Sequence, residues 1–217
     1  MIMAMLHTSS VLILAAAVAA TFVAPDTSLG AVILDVPFTV QAPFNSWRAQ
    51  PFKDACEEAV IIMAESYYTG DDLTPTYVRN RILAFAAYEK KYFGFHQDTN
   101  SDYTELLIDA QSKIWGTVVL NPTIDQIKKE IDGGRPVIHI AYSPKLKNPH
   151  YRLRMNPYHV VLIVGYDEAR AEFVTHDPGT RFGENYRYPM NVIMDSNHDY
   201  QKPNKGTGRH AMIFTEP

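Results

Sequence analysis

Apolar positions along the chain follow two patterns, helical spacing as far as Gly134 and short apolar runs divided by turn residues after it. In the most apolar helical window, Val60-Ile61-Ile62-Met63 covers nearly the whole circumference, so a helix from about Ala55 to Tyr68 should lie inside the core. Asp54 is its expected N-cap, Glu57 and Glu58 fall in its first turn, and Tyr68-Thr69-Gly70 ends it. A second helix is expected from Thr74 as N-cap and Pro75 at the first position, with Val78, Ile82, Phe85 and Ala86 at helical spacing and Gly94 as the stop. A third should run from about Thr104 to Ile114. The fourth opens on a capping box, Thr123 with Gln126, and ends at Gly133-Gly134.

Val32 to Gln41 reads as an extended segment interrupted by Pro37, hence an edge strand, and Pro43 to Lys53 as a loop over the head of the first helix. Beyond Gly134 the expected strands are Pro136 to Tyr142, His159 to Tyr166, Ala171 to His176, Asn191 to Met194 and His210 to Thr215. Helices followed by an antiparallel sheet make the fold class α+β.

The first residues stand apart. Val11 to Ala20 is continuously apolar and Val18-Ala19-Ala20 offers a small-x-small cleavage pattern, so residues 1–31 read as a signal peptide and leading segment, although Met1 to Ser10 carries no Lys or Arg. An uncleaved anchor is the alternative, but the run from Val11 to Ala24 is short of the roughly 20 residues a spanning helix needs. The expected product is a secreted or cell-envelope protein with no membrane span in the mature chain, one domain over 32–217, and a monomer. A net charge of −4, with 20 scattered Lys and Arg residues, gives no footprint for nucleic acid.

Candidate chemistry centres on Cys56, the one cysteine in 217 residues, which excludes an internal disulfide. At a helix N-terminus the unpaired N–H groups favour a thiolate, whereas Glu57 and Glu58 oppose it unless they point away. His159 stands at the mouth of an apolar strand, and the following strand delivers Asp177-Pro178-Gly179 to the same end. A cysteine, a histidine and an orienting carboxylate are what a thiolate–imidazolium nucleophile requires. Facing each other directly, His159 and Asp177 would need a three-residue turn, Asp167-Glu168-Ala169, or a bulge between Ala171 and His176.

Five pieces in order, Val36-Pro37-Phe38-Thr39-Val40-Gln41, Asp54-Ala55-Cys56, Gly134-Arg135-Pro136-Val137-Ile138, His159 to Asp167, and Asp177-Pro178, resemble the papain-like cysteine peptidases that trim bacteriocin leader peptides, peptidase family 39 of the cysteine class, and their stand-alone exported relatives. The resemblance implies a papain-like fold and a thiol hydrolase acting on peptide or related amide bonds through an acyl-enzyme. It implies Cys56 as nucleophile, His159 as general base and acid, Asp177 as the residue orienting the imidazole, and Gln41 as amide donor to the oxyanion, with Gln50 as rival donor. A non-catalytic binding domain and a cell-wall amidase or acyltransferase remain alternatives, the substrate being a peptide or peptidoglycan-type amide.

No cofactor is expected, since His96, His139, His150, His176, His198 and His210 show no zinc-type spacing. Asp98, Asn100, Asp102 and Asp109 occupy positions one, three, five and twelve of a calcium-type loop, with Tyr103 where that loop needs glycine.

Overall fold

The structure is a computed structural model that describes residues 30–151 and 156–217. The expected signal segment lies almost wholly outside the described residues. Among the described residues a seven-stranded antiparallel sheet runs in the order β2 (Trp115–Leu120), β7 (Ala211–Glu216), β3 (Val137–Tyr142), β4 (Tyr158–Asp167), β5 (Glu172–His176) and β6 (Tyr186–Pro189), with the short β1 (Val32–Ile33) paired to β4. Helices α1 (Cys56–Thr69), α2 (Pro75–Tyr92) and α3 (Ser101–Gln111) share one core cluster with Val160, Leu162 and Val164 of β4. On the other face, Ile163 of β4 meets Ile127 and Ile131 of α4 (Ile124–Asp132) and Ile193 of α5 (Met190–Ser196). Strand β4 is thus covered on both faces, which is why its sequence is continuously apolar rather than alternating.

Helix α1 is central, as its all-round apolar character requires: every residue from Cys56 to Ser66 is buried, and Gly70 closes it in the left-handed conformation at φ 75°. The expected N-cap is corrected, because Asp54 belongs to a preceding 3-10 turn, Phe52–Asp54, and Ala55 takes the cap position without a side-chain bond. Thr74 caps α2 and the Thr123–Gln126 box caps α4 as read. Helix α3 begins earlier than expected because Asn100 is its cap, accepting from Tyr103 N at 2.9 Å.

Three further corrections concern strands. Trp115–Leu120, between the third and fourth expected helices and given no element in the sequence reading, is an edge strand, so the helical part of the chain is interrupted. Asn191 to Met194 is not a strand but the middle of α5, where Met190 and Ile193 turn inward at helical spacing. Of the segment Val32 to Gln41, only Val32–Ile33 pairs as strand.

The β4–β5 hairpin is also built differently from expectation. Asp167 faces Glu172 across a four-residue turn, in which Ala171 adopts φ 52°, and the register shift lies in β4 between Ile163 and Gly165 rather than in β5. Gly165 belongs at that shift because β1 crosses close over it: a Cβ there would stand 2.4 Å from the Val32 carbonyl oxygen.

Candidate active site

Helix α1, the start of β4 and the loop after β5 converge on a cleft of about 530 Å³ whose walls include Gln41, Trp47, Cys56, His159, Thr180 and Phe182. Cys56 opens α1 because the 3-10 turn before it leads the chain straight into the helix from the cleft side. His159 opens β4 opposite Ala141 of β3. Asp177 is the first residue after β5.

The structure joins His159 and Asp177 directly, with Nε2 donating to Oδ1 at 2.7 Å and both side chains buried. This bond sets the tautomer: Nε2 carries the hydrogen and Nδ1 keeps its lone pair. Asp177 Oδ2 accepts from Tyr151 Oη at 2.5 Å, Tyr188 Oη at 2.9 Å and Asn148 Nδ2 at 3.2 Å, and Oδ1 also accepts from Gly179 N at 3.0 Å. Burial acts to raise this carboxyl, but the His159 charge and these donors outweigh it and hold it below the ordinary carboxylate value. Asp177 is therefore an anion clamped from both sides. Tyr151, Tyr188 and Asn148 were not read from the sequence as site residues, and no spacing could have revealed them, since the loop after β3 supplies Asn148 and Tyr151 and β6 supplies Tyr188.

Cys56 lines the same cleft, yet its thiol donates to Glu57 Oε2 at 3.1 Å. Among the described residues the sulfur makes no hydrogen bond to the imidazole. Burial, and after it the Glu57 charge, push the thiol well above its usual range. The expectation that the helix N-terminus favours a thiolate is overturned for this arrangement, because Glu57 points at the sulfur and not away from it. Glu57 Oε1 in turn accepts from Thr99 N at 2.8 Å.

Gln41 is held at the cleft by its backbone N–H, which donates to Pro178 O at 3.0 Å. Its side-chain amide donates both hydrogens to main-chain carbonyls, Phe52 O at 3.1 Å and Lys53 O at 2.9 Å, and so ties the turn before Cys56 to the cleft. Gln50 lies outside the cleft, bonded to Asp54 Oδ2 at 2.6 Å.

The calcium-type loop does not assemble. Asp98 is fastened by Asn156 Nδ2 at 2.5 Å and Lys205 Nζ at 2.6 Å, Asn100 caps α3, Asp102 pairs with Arg209, and Asp109 accepts from Gly116 N. No cluster of His, Cys, Asp and Glu suited to a metal occurs among the described residues, and no helix among them is long and apolar enough to cross a membrane.

A solved structure of a Bacillus anthracis protein assigned as a C39-like peptidase is similar over 86% of this chain and 98% of its own, with a TM-score of 0.52 and 15% identity, a likeness that speaks for the fold. No relative with a curated description matches the sequence. The family model of the peptidase C39-like family matches residues 33–206, which takes in the cysteine helix, the His159 strand and Asp177, and the chain belongs to that family.

Proposed function

We propose that the protein is an exported thiol hydrolase that cleaves peptide or related amide bonds through Cys56, His159 and Asp177. The observation that carries this reading is the buried 2.7 Å bond from His159 Nε2 to the clamped Asp177 carboxylate, at the rim of the cleft that also holds Cys56. In the reaction, Cys56 gives its proton to His159 Nδ1 and the sulfur attacks the carbonyl carbon. The oxyanion forms beside the α1 N-terminus, where Gln41 is the proposed side-chain donor. His159 then protonates the leaving amine, and water, activated by the same ring, hydrolyses the thioester. Export is proposed on the apolar run Val11 to Ala20.

The experiment is incubation with a mixture of unstructured peptides and, separately, with peptidoglycan fragments, both followed by mass spectrometry. New termini or released fragments, together with an acyl adduct on Cys56, are expected from the native protein and none from Cys56→Ser. Cleavage retained in Cys56→Ser removes Cys56 from the mechanism. A second reading, a non-catalytic binding domain, is favoured by the Cys56–Glu57 hydrogen bond, and it predicts binding without any adduct.

A further inference from the structure

Glu57 is buried at 2% exposure with one carboxylate oxygen on the Cys56 thiol and the other on Thr99, whose N–H and Oγ1 lie at 2.8 Å and 3.3 Å. No basic side chain forms an ion pair with it among the described residues. The titratable groups that face it are Glu58 from its own helix, Glu89 from α2, Asp98 from the loop before α3 with Lys205 on its outer side, Tyr158 from β4 and Tyr200 from the loop after α5. A buried carboxylate grouped with other carboxyls and without a basic partner is an unusual neighbour for a sulfur that must ionise.

We propose that Glu57 is a positioning residue whose own protonation decides whether Cys56 can act. As a carboxylate it accepts the thiol's hydrogen bond and its charge opposes a thiolate. As a carboxylic acid it becomes a donor, and that donor supports the sulfur anion left when the S–H proton moves to His159 Nδ1. The two states differ by a single proton on Glu57, so no oxidant, reductant or further reactant is involved. The inference rests on Cys56 as nucleophile.

Burial first, and then the Asp98 charge, push Glu57 up to about 7, which sets the change close to neutral pH. Glu57 is therefore neutral, and the thiolate supported, below that pH; above it the carboxylate holds the thiol back.

Alkylation of the single cysteine by iodoacetamide across pH reads this without any peptide substrate, so its outcome is independent of whether proteolysis is found. For the native protein the rate should fall as pH rises through about 7, and recover only at strongly alkaline pH where the thiol ionises unaided. Glu57→Gln keeps an oxygen for Thr99 and an amide donor for the sulfur but cannot ionise. The fall should vanish, and the rate at pH 8 should exceed the native rate by about tenfold or more, as expected on removing a like charge in contact. A Glu57→Gln profile that matches the native one overturns the proposal, as does a native rate that simply climbs with pH. If Glu57→Gln does not fold, Asp98→Asn carries the test: without the Asp98 charge the fall should move to lower pH, and an unmoved midpoint overturns the idea.

Discussion

Asp177 Oδ1 reaches His159 Nε2 at 2.7 Å although the two residues are not opposite each other in the β4–β5 ladder. Past the irregularity at Val164, Leu162 faces His176, and continuing that register three residues further sets His159 against Gly179. Asp177 therefore reaches across diagonally, while the space directly opposite the ring is left empty of side chain.

The first prediction concerns that diagonal bond. Asp177→Asn keeps the shape but presents an amide to Tyr151, Tyr188 and Asn148, three donors that already crowd Oδ2, and it removes the charge that supports an imidazolium. Hydrolysis should fall by about 10²- to 10⁴-fold with little change in KM. A loss smaller than tenfold would take Asp177 out of the orienting role.

Gly179 provides an independent probe of the ring. A Cβ at this position would stand 2.7 Å from His159 Cε1 and 3.0 Å from Nε2, so Gly179→Ala must push the imidazole away from Asp177. Activity should drop at least about 100-fold while the melting temperature hardly changes, because the residue lies in a loop at the cleft. Unaltered turnover in a folded Gly179→Ala protein would mean that the position of the His159 ring is immaterial.

Gln41 has a double task to test. Gln41→Ala should lower kcat by about 100-fold with KM little affected if its amide swings to the oxyanion. Because both amide hydrogens also tie down Phe52 and Lys53, the same change should cost about 1 to 3 kcal/mol of stability by denaturant titration. Gln50→Ala should do neither, since Gln50 bonds only Asp54 at the surface. A stability loss with kcat intact would leave Gln41 as a fastener of the turn and nothing more.

Stability should fall on the alkaline side. Burial and then the Asp98 charge raise Glu57 to about 7, burial and then Glu57 raise Glu89 to about 8, and Glu58 is pushed well above its ordinary value by burial and then Glu57. Among the described residues no hydrogen-bond partner reaches either carboxyl oxygen of Glu58, so burial beside Glu57 and Glu89 favours its neutral form. A carboxyl raised on folding contributes stability that is fully present below its ordinary 4.5 and is lost as pH rises through its folded value. His139 acts at the acid end: burial holds it down to about 3, so its contribution is present above 6.5 and fades as pH falls toward 3. The melting temperature should peak near about pH 5 to 6 and decline toward 8. Glu58→Gln should recover about 1 to 3 kcal/mol at pH 8 and much less at pH 5. A native melting temperature that rises steadily from pH 5 to 8 would show these carboxyls to be ionised and compensated.

The parts of the fold that local chemistry determines were legible. Thr74-Pro75, the Thr123–Gln126 box and Gly70 each act within one helical turn, and each marks the boundary it was read to mark. Asn191 to Met194 misled because the three consecutive apolar positions Val192, Ile193 and Met194 fit a buried strand as well as a short helix, and only packing against β3 and β6 selects the helix. Trp115–Leu120 was passed over because an edge strand is half exposed and its partner, β7, lies almost a hundred residues further along the chain. In the site, Cys56, His159 and Asp177 were legible as residue types in order. The direction in which Glu57 points was not, since it depends on Thr99 arriving from the far end of α2.

The short pairing of Val32 and Ile33 with Tyr166 and Gly165 puts the place where the chain joins the sheet at the tail of β4, while His159 is at its head. Seven residue steps along a strand separate the two ends by about 23 Å. From there the chain runs back alongside β4, bonding Val164 O through Leu34 N and accepting from His176 Nε2 at Val36 O, before Gln41 reaches the cleft. A label coupled at Gly30 or Ala31 would thus lie toward the end of β4 opposite His159, leaving the mouth of the cleft beside that ring clear.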